Sequence, residues 1–318
     1  MKRRKFITSA SLTAAGLALA EAGMAGAGTI VKTVKRPVCA FTKCLQFLPV
    51  EQVGEVLARL AFDGTDLLVR PGGQIEPENV KKELPQAVKT FRKQGAEILM
   101  IVTAIKDPTE PFALATLEAA ADSGIKYYRL GWFDYDLKKS IQQNLDEFKG
   151  TMEKIARINE KLGLHGGYQN HSGIGVGAPV WDLYELLKEV DPRYLGVQYD
   201  IRHAVTEGGN SWRLGLKRVE PWIRSVAIKD FIWEKNSGNQ WHHQTVPLGE
   251  GMVPYDDYLK DYAALKVEAP ISIHFEYDLG GADTGKKETT MPKEEIFQKM
   301  QKDLIWLRQK MITNQIEY

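Results

Sequence analysis

From about residue 36 onward, the chain alternates short apolar runs with longer stretches of helical periodicity, and this alternation constrains the fold more than any other feature. Eight apolar runs are predicted to be strands: 38–45, 64–70, 97–105, 127–132, 163–169, 194–200, 223–229 and 271–276. Each of the seven intervals, and the segment after the last run, is predicted to hold a helix: 50–60, 78–94, 108–122, 141–162, 181–189, 211–220, 255–265 and 293–311. Repeated β-then-α units predict a parallel sheet closed into a single-domain α/β (β/α)8 TIM barrel over residues 36–313, because closure pairs every strand edge.

An open, doubly wound sheet is the main alternative to the barrel. That sheet would need a phosphate-binding glycine turn after the first strand, and the segment CAFTKCLQFLP contains no glycine. The 318 residues are 43% apolar and supply a large core. The 42 basic and 41 acidic residues nearly cancel, and no basic run interleaved with aromatic residues follows residue 5. We therefore expect no nucleic acid partner, because nothing in the sequence would neutralise the phosphates.

Residues 1–27 have the composition of an export signal. Residues 2–5 are four consecutive cations, and the apolar run after Phe6 ends by Ala20. This run is short and rich in small residues, so we expect no stable membrane span in the mature protein. Arg3, Arg4 and Phe6 resemble the core of a twin-arginine signal, which predicts export of the folded protein to the periplasm. An uncleaved anchor or a frayed tail is the alternative.

Polar residues collect at the carboxyl ends of the later predicted strands, which a barrel brings to one pocket. They are Gln169, His171, Asp200, Arg202, His203, Lys229, His274 and Glu276. A buried carboxylate must be paired, protonated or metal-bound. Asp200 and Glu276, with histidines nearby, therefore predict a site for one divalent ion such as Mn²⁺, Mg²⁺, Co²⁺ or Zn²⁺. Structural ion pairs of the two acids with Arg202 or Lys229 are the alternative.

Other residues are candidates for contact with a sugar. Trp132 follows the fourth predicted strand, where its ring could cover the apolar face of a sugar. Glu250 lies between two glycines, which permit close approach of the backbone to a ligand. The candidate substrate-binding residues are Arg70, Trp132, Arg202, Glu250 and His274.

At these residues the chain resembles the sugar phosphate isomerase/epimerase superfamily, the xylose-isomerase-like barrels that include D-tagatose 3-epimerase and inosose dehydratase. The matching segments are GYQNH at 167–171, LGVQYDIRHA at 195–204, VAIKDF at 226–231, VPLGEGMVPY at 246–255 and ISIHFEY at 271–277. The resemblance covers residues 36–311, and it is specific for the superfamily rather than for one substrate.

The resemblance implies one divalent metal held by a glutamate, an aspartate, a histidine or glutamine, and a last glutamate. Asp200 matches the aspartate and Glu276 the last glutamate, while His203 matches the histidine that follows the aspartate. Two positions depart from the family pattern. Gln169 stands where the first glutamate is expected, and Ala227 stands where the third ligand should be. Gln169, His171, Asp200 and Glu276 remain as the predicted ligand set, with water completing it.

The resemblance further implies metal-assisted proton transfer at a carbon next to a carbonyl, in which the metal polarises the carbonyl. In the family two glutamates act as paired bases, and a neutral Gln169 leaves chemistry that needs one carboxylate and a Lewis acid: isomerisation, epimerisation, or β-elimination or hydrolysis of a keto-glycoside. The expected catalytic residues are Glu276 or His203 for the proton and Lys229 for the enediolate oxygen. The sequence thus predicts an exported enzyme with a carbohydrate substrate, compatible with a homo-oligomer. A catalytically inactive, sugar-binding barrel and a DNA phosphodiesterase on the same fold are the rivals.

Overall fold

A computed structural model describes residues 35–265 and 267–318 of the chain. The strands in chain order are β1 (Val38–Phe41), β2 (Gly64–Leu68), β3 (Ile98–Val102), β4 (Tyr127–Arg129), β5 (His165–Gln169), β6 (Leu195–Asp200), β7 (Ile223–Ile228), β8 (Asp230–Lys235), β9 (Trp241–Val246) and β10 (Ile271–Ile273). All of them except β8 and β9 form a closed parallel barrel. The predicted (β/α)8 TIM barrel is confirmed.

Closure occurs between the first and last barrel strands. Val38 in β1 pairs with Ile271 in β10, and β10 pairs in turn with β7, where Ile271 lies opposite Val226. The order around the barrel is therefore β1, β2, β3, β4, β5, β6, β7, β10. This order places β7 between β6 and β10, so the residue that follows β7 lies between the residues that end β6 and follow β10.

Helices surround the barrel and cover its apolar outer face. They are α1 (Val50–Arg59), α2 (Val80–Lys93), α3 (Ala113–Asp122), α4 (Ile141–Leu162), α5 (Val180–Leu187), α6 (Ile201–Gly208), α7 (Trp212–Val219), α8 (Tyr255–Ala264) and α9 (Lys293–Thr313). The predicted bounds of α4 match because both ends carry strong signals. Ser140 forms a capping box with Gln143, and Gly163 ends the helix in the left-handed conformation.

The structure corrects the sequence prediction at three places. The segment after β7, where the sequence predicts no element between residues 229 and 255, contains the antiparallel hairpin β8–β9. Its strands are mostly exposed, so they carry little of the apolar signal by which buried strands are found. The first predicted strand is shorter than expected, because the Thr42 hydroxyl accepts the Leu68 N–H and the chain turns away after Phe41. Helix α6, which follows Asp200 directly, was not predicted.

The predicted export signal, residues 1–27, lies outside the described residues. In the part of the chain that the structure covers, no helix is long and apolar enough to cross a membrane.

Candidate functional site

The carboxyl ends of the strands surround a cavity of about 480 Å³. Its walls include side chains from the segments after β1, β5, β6 and β10 and from the β8–β9 hairpin: Lys43, His171, Arg202, His203, His243 and Glu276. Four of these were predicted from the sequence as site residues. The barrel therefore brings together residues that are up to 233 positions apart, as in the ion pair between Lys43 and Glu276.

Lys229 lies between the two acids that dominate the site. Its Nζ is 3.3 Å from Asp200 Oδ2 and 2.8 Å from Glu276 Oε2. The side chains of Lys229 and Asp200 are 1% and 0% exposed, whereas that of Glu276 is 24% exposed. Glu276 also pairs through Oε1 with Lys43, at 3.3 Å. The predicted alternative of an ion pair with Lys229 is thus present, and Glu276 is the acid that reaches the cavity.

The two acids have opposite pKa shifts. Burial raises the pKa of Asp200, and the Lys229 ammonium opposes that shift without cancelling it. Burial would also raise the pKa of Glu276, but the ammonium groups of Lys229 and Lys43 outweigh it and hold that pKa well below its usual range. Glu276 is therefore a carboxylate at neutral pH.

Gln169, at the end of β5, belongs to a chain of hydrogen bonds that leads to Asp200. Arg129 Nη1 donates to Gln169 Oε1 at 2.9 Å, and Gln169 Nε2 donates to Asp200 Oδ2 at 2.8 Å. The arginine can only donate, so it fixes which end of the amide faces Asp200. The Arg129 guanidinium lies 4.1 Å from the Trp132 ring centroid, so it covers part of the ring that was predicted to receive a sugar.

His203 is held as a neutral imidazole with its ring proton on Nε2. Arg202 Nη1 donates to His203 Nδ1 at 2.9 Å, which leaves the ring proton on Nε2, 3.6 Å from Asp200 Oδ2. Burial, reinforced by the Lys229 ammonium, lowers the pKa of His203 well below its usual value. The other nitrogen of the Arg202 fork, Nη2, donates to His243 Nδ1 at 2.7 Å. Arg202 thus fixes the tautomers of two histidines at the cavity.

His171 packs against His203, with 4.0 Å between the ring centroids. Its Nδ1 lies 2.9 Å from the Ser172 carbonyl oxygen, which can only accept, so Nδ1 carries the proton and Nε2 a lone pair. Burial, with the positive charge of Lys229 nearby, lowers the pKa of His171 to about 4. His171 is therefore neutral over the physiological range.

Of the remaining predicted residues, Arg70 and His274 lie at the margin of the site, and Glu250 lies outside it. Arg70 is half-buried beyond β2, where burial lowers its pKa and the charge of Glu276 opposes that shift. His274 is buried against Phe41, with 4.5 Å between the ring centroids, and its Nε2 has no hydrogen-bond partner within the described ranges. Glu250 lies on the surface, where it pairs with Lys302 at 2.7 Å.

The glycines beside Glu250 have a structural role instead. The Asp230 carboxylate accepts the backbone N–H groups of Gly249 and Gly251, each at 3.1 Å, and that of Val253 at the same distance. A Cβ on Gly251 would collide with this carboxylate. The glycines therefore permit close approach to Asp230 rather than to a ligand.

Sequence reasoning missed Lys43 and Ser172. Lys43 lies just beyond β1, so the rule that singled out the ends of the later strands would have found it at the first strand. Ser172 directly follows His171, and its Oγ lies 2.7 Å from His203 Nδ1 and accepts from Arg202. Nothing in the sequence marks that contact, because it depends on how two loops meet.

The side chains present do not fit a divalent metal. A metal would need free lone pairs, but Asp200 Oδ2 already accepts from the Gln169 amide and pairs with the Lys229 ammonium. Both oxygens of Glu276 are paired with lysines, and Ala227 offers no donor atom. Throughout residues 35–265 and 267–318, no group of three or more His, Cys, Asp or Glu side chains is arranged to hold a metal ion.

Comparison with known proteins agrees with the fold. The family model for xylose isomerase-like TIM barrels matches residues 55–309. An uncharacterized protein of Methanocaldococcus jannaschii is 26% identical over 144 residues, which is 45% of each chain, so the match spans less than half of that relative's length.

Solved structures with the same barrel are more distant in sequence. They include 3-keto-D-glucoside 4-epimerase of E. coli, with 12% identity, coverage of 86% of this chain and 100% of that one, and a TM-score of 0.62. L-ribulose 3-epimerase has 11% identity, coverage of 88% and 96%, and a TM-score of 0.65. A xylose isomerase-like barrel from Mycobacterium smegmatis, solved with magnesium, has 13% identity, coverage of 85% and 98%, and a TM-score of 0.61. Since the family model covers most of the sequence, the chain belongs to the xylose isomerase-like TIM barrel family.

Proposed function

We propose that the protein is an enzyme of the sugar isomerase and epimerase class, which moves a proton at a carbon next to a carbonyl in a carbohydrate or keto sugar. One observation carries the proposal: Glu276 is an ionised, partly exposed carboxylate at the cavity, with the Lys43 ammonium 3.3 Å from its outer oxygen. A base and a cation side by side are what removal of a proton next to a carbonyl requires. The epimerase names among the structural neighbours support the same class.

The roles follow from which groups reach the cavity. A substrate carbonyl oxygen would accept a hydrogen bond from Lys43, which draws the ammonium away from Glu276 Oε1 and leaves that oxygen to take the proton from the neighbouring carbon. The electron pair of the broken C–H bond forms a carbon–carbon double bond, and the carbonyl π pair moves to the oxygen, where Lys43 balances the new negative charge. The isomer forms when the neighbouring hydroxyl passes its proton to that oxygen and Glu276 returns its proton to the former carbonyl carbon. Loss of a leaving group from the next carbon instead gives the elimination product.

Lys229 has a different role from the one predicted. Its ammonium is almost fully buried behind Glu276, so it holds that carboxylate in place and does not touch the substrate. His203 offers an N–H at Nε2 rather than a lone pair, so it does not serve as the base. Because Gln169 is a neutral amide and Asp200 is wholly buried, one base serves the site. One-base isomerisation or β-elimination is favoured over epimerisation by two bases.

A sugar-binding barrel without turnover is the second candidate. Gln169 and Ala227, at two positions where the family carries ligands, favour it.

We also propose that the protein acts in the periplasm, since residues 1–27 have the features of an export signal. Cell fractionation of the full chain and of a variant with Arg3 and Arg4 both changed to Lys tests this location; retention of the variant in the cytoplasm is the expected result.

Proton NMR in D₂O, with a panel of 2-keto and 3-keto sugars, tests the activity. We expect the wild type to exchange the proton next to the carbonyl of at least one sugar, and Glu276→Gln and Lys43→Met to lose that exchange. Glu250→Gln and Lys302→Met, which alter the exposed ion pair on the surface, are matched controls and should retain it. Sugar binding by calorimetry without any exchange would support the binding barrel, and unchanged exchange in Glu276→Gln would refute the assigned base.

A further inference from the structure

We propose that the Lys229 ammonium is the permanent cation of this site and that the protein holds no divalent metal between Asp200 and Glu276. The Lys229 Nζ lies within 3.3 Å of both carboxylates, and the Lys229 side chain is only 1% exposed. The absence of a metal follows from the geometry alone. Only the role of Lys229 in positioning the Glu276 carboxylate rests on the proposed function.

The charges of the cluster already balance without a metal. Asp200 and Glu276 contribute two negative charges, and Lys229 and Lys43 contribute two positive charges within 3.3 Å of them. A divalent ion would have to enter beside an ammonium that is buried with the same carboxylates. Repulsion between cations in a site shielded from water disfavours that state strongly.

The neighbouring positions do not supply the lone pairs that a metal would need. Gln169 turns its N–H toward Asp200, because its oxygen is engaged by Arg129. Ala227 lies two residues before Lys229 and therefore on the same face of extended chain, where its methyl group offers no donor atom. The three positions act together: Gln169 presents an amide N–H, Ala227 presents a methyl group, and Lys229, which directly follows the strand of Ala227, supplies the positive charge.

The origin of the lysine's position is the strand order. Strand β7 lies between β6 and β10 in the barrel. Asp200 ends β6, Glu276 comes three residues after β10, and Lys229 comes directly after β7. Any long cationic side chain at residue 229 would therefore be placed between the two acids. The cation of the site is therefore part of the polypeptide, and the site does not depend on binding a metal ion from solution.

Metal content and Mn²⁺ titration of the purified full chain test the proposal. After incubation with Mn²⁺ and desalting, we expect no stoichiometric metal by mass spectrometry, no loss of the free Mn²⁺ signal in electron paramagnetic resonance, and no change of Tm with Mn²⁺ or EDTA. One Mn²⁺ per chain in the wild type, removed by EDTA and absent from Asp200→Asn, would overturn it.

A designed variant that should gain metal binding tests the proposal in the opposite direction. Lys229→Ala combined with Gln169→Glu and Ala227→His removes the cation and restores both family donors, so we expect it to bind Mn²⁺ and to gain Tm when Mn²⁺ is added. Lys302→Ala removes an exposed lysine and should show neither effect. If the triple variant does not fold, the wild-type measurement still decides. Metal binding is read without any substrate, so failure of the proposed activity and failure of this inference are distinguishable.

Discussion

Replacement of Lys229 by Met removes the ammonium but keeps the length of the side chain, and we expect a large loss of stability. The change breaks two ion pairs, at 3.3 Å to Asp200 and 2.8 Å to Glu276. Glu276 keeps Lys43, so most of the cost falls on Asp200, which is left buried without a charged partner. Removing one partner of a buried ion pair costs about 3–5 kcal/mol.

The lower end of that range applies here. Asp200 retains the Gln169 amide at 2.8 Å and the His203 backbone N–H at 3.2 Å, so its carboxylate is not stripped of all hydrogen bonds. We therefore expect a loss of about 3 kcal/mol in the free energy of unfolding. Lys302→Met is the matched control, since it removes a lysine whose pair is 68% and 51% exposed. Pairs of that kind contribute about 0–1 kcal/mol.

The loss of stability in Lys229→Met is expected to depend on pH. Burial already raises the pKa of Asp200 in the folded protein, and loss of the Lys229 ammonium removes the group that opposes this shift. An acid whose folded pKa lies above its unfolded pKa binds more protons when folded, so its effect on stability becomes less favourable as the pH rises. In the wild type, the depressed pKa of Glu276 adds stability that is lost in acid. Both effects make the deficit of Lys229→Met largest at neutral pH. The Asp200 part shrinks as that acid takes up its proton on acidification, and the Glu276 part shrinks only below the usual glutamate pKa of about 4.5.

Urea denaturation followed by tryptophan fluorescence, at neutral and mildly acidic pH, measures these differences. A Lys229→Met variant as stable as Lys302→Met, or a deficit that does not shrink in acid, would refute the assignment of Lys229 as the counterion of Asp200.

Other consequences of the geometry can be measured separately. Lys43→Met should lower turnover by at least an order of magnitude, because it removes the cation at the carbonyl oxygen. The free energy of unfolding should change by only about 1 kcal/mol, because the Lys43 side chain is partly exposed and Glu276 keeps its buried partner. Steady-state kinetics and urea denaturation measure the two effects, and a loss of turnover no larger than the loss of stability explains would contradict the role of Lys43. Gly251→Ala should lower Tm by several degrees, because the new Cβ collides with the Asp230 carboxylate, whereas Gly150→Ala, with open space around the new Cβ, should not; equal Tm values would contradict the tight approach. The His171 imidazole should remain neutral in NMR titrations until the pH falls to about 4, and a midpoint near the ordinary value of about 6.5 would contradict its burial beside Lys229.

The arrangement of the two acids followed from the sequence because it depends on topology. Once eight strands were identified, the ends of β6 and β10 had to meet at one face, and Asp200 and Glu276 came with them. The position of Lys229 between them follows from the same strand order. Strand ends are marked by apolar runs that stop at polar residues, which is a local signal.

The state of the side chains could not be predicted in this way. Whether Gln169 offers its oxygen or its N–H to Asp200 depends on Arg129, a contact between two strands that leaves no local pattern. Glu250 was assigned to the substrate because glycines flank it, but those glycines serve Asp230. The same pair of glycines fits either purpose, and only the packing of the chain distinguishes them.

A crystal structure of the protein grown with Mn²⁺ and soaked with a keto sugar tests the central claim most directly. The sugar should lie in the cavity with its carbonyl oxygen at Lys43 Nζ and the adjacent C–H at Glu276, while Lys229 stays between Asp200 and Glu276. A Mn²⁺ ion ligated by the two carboxylates, with Lys229 displaced, or a sugar bound away from Glu276 would contradict the account.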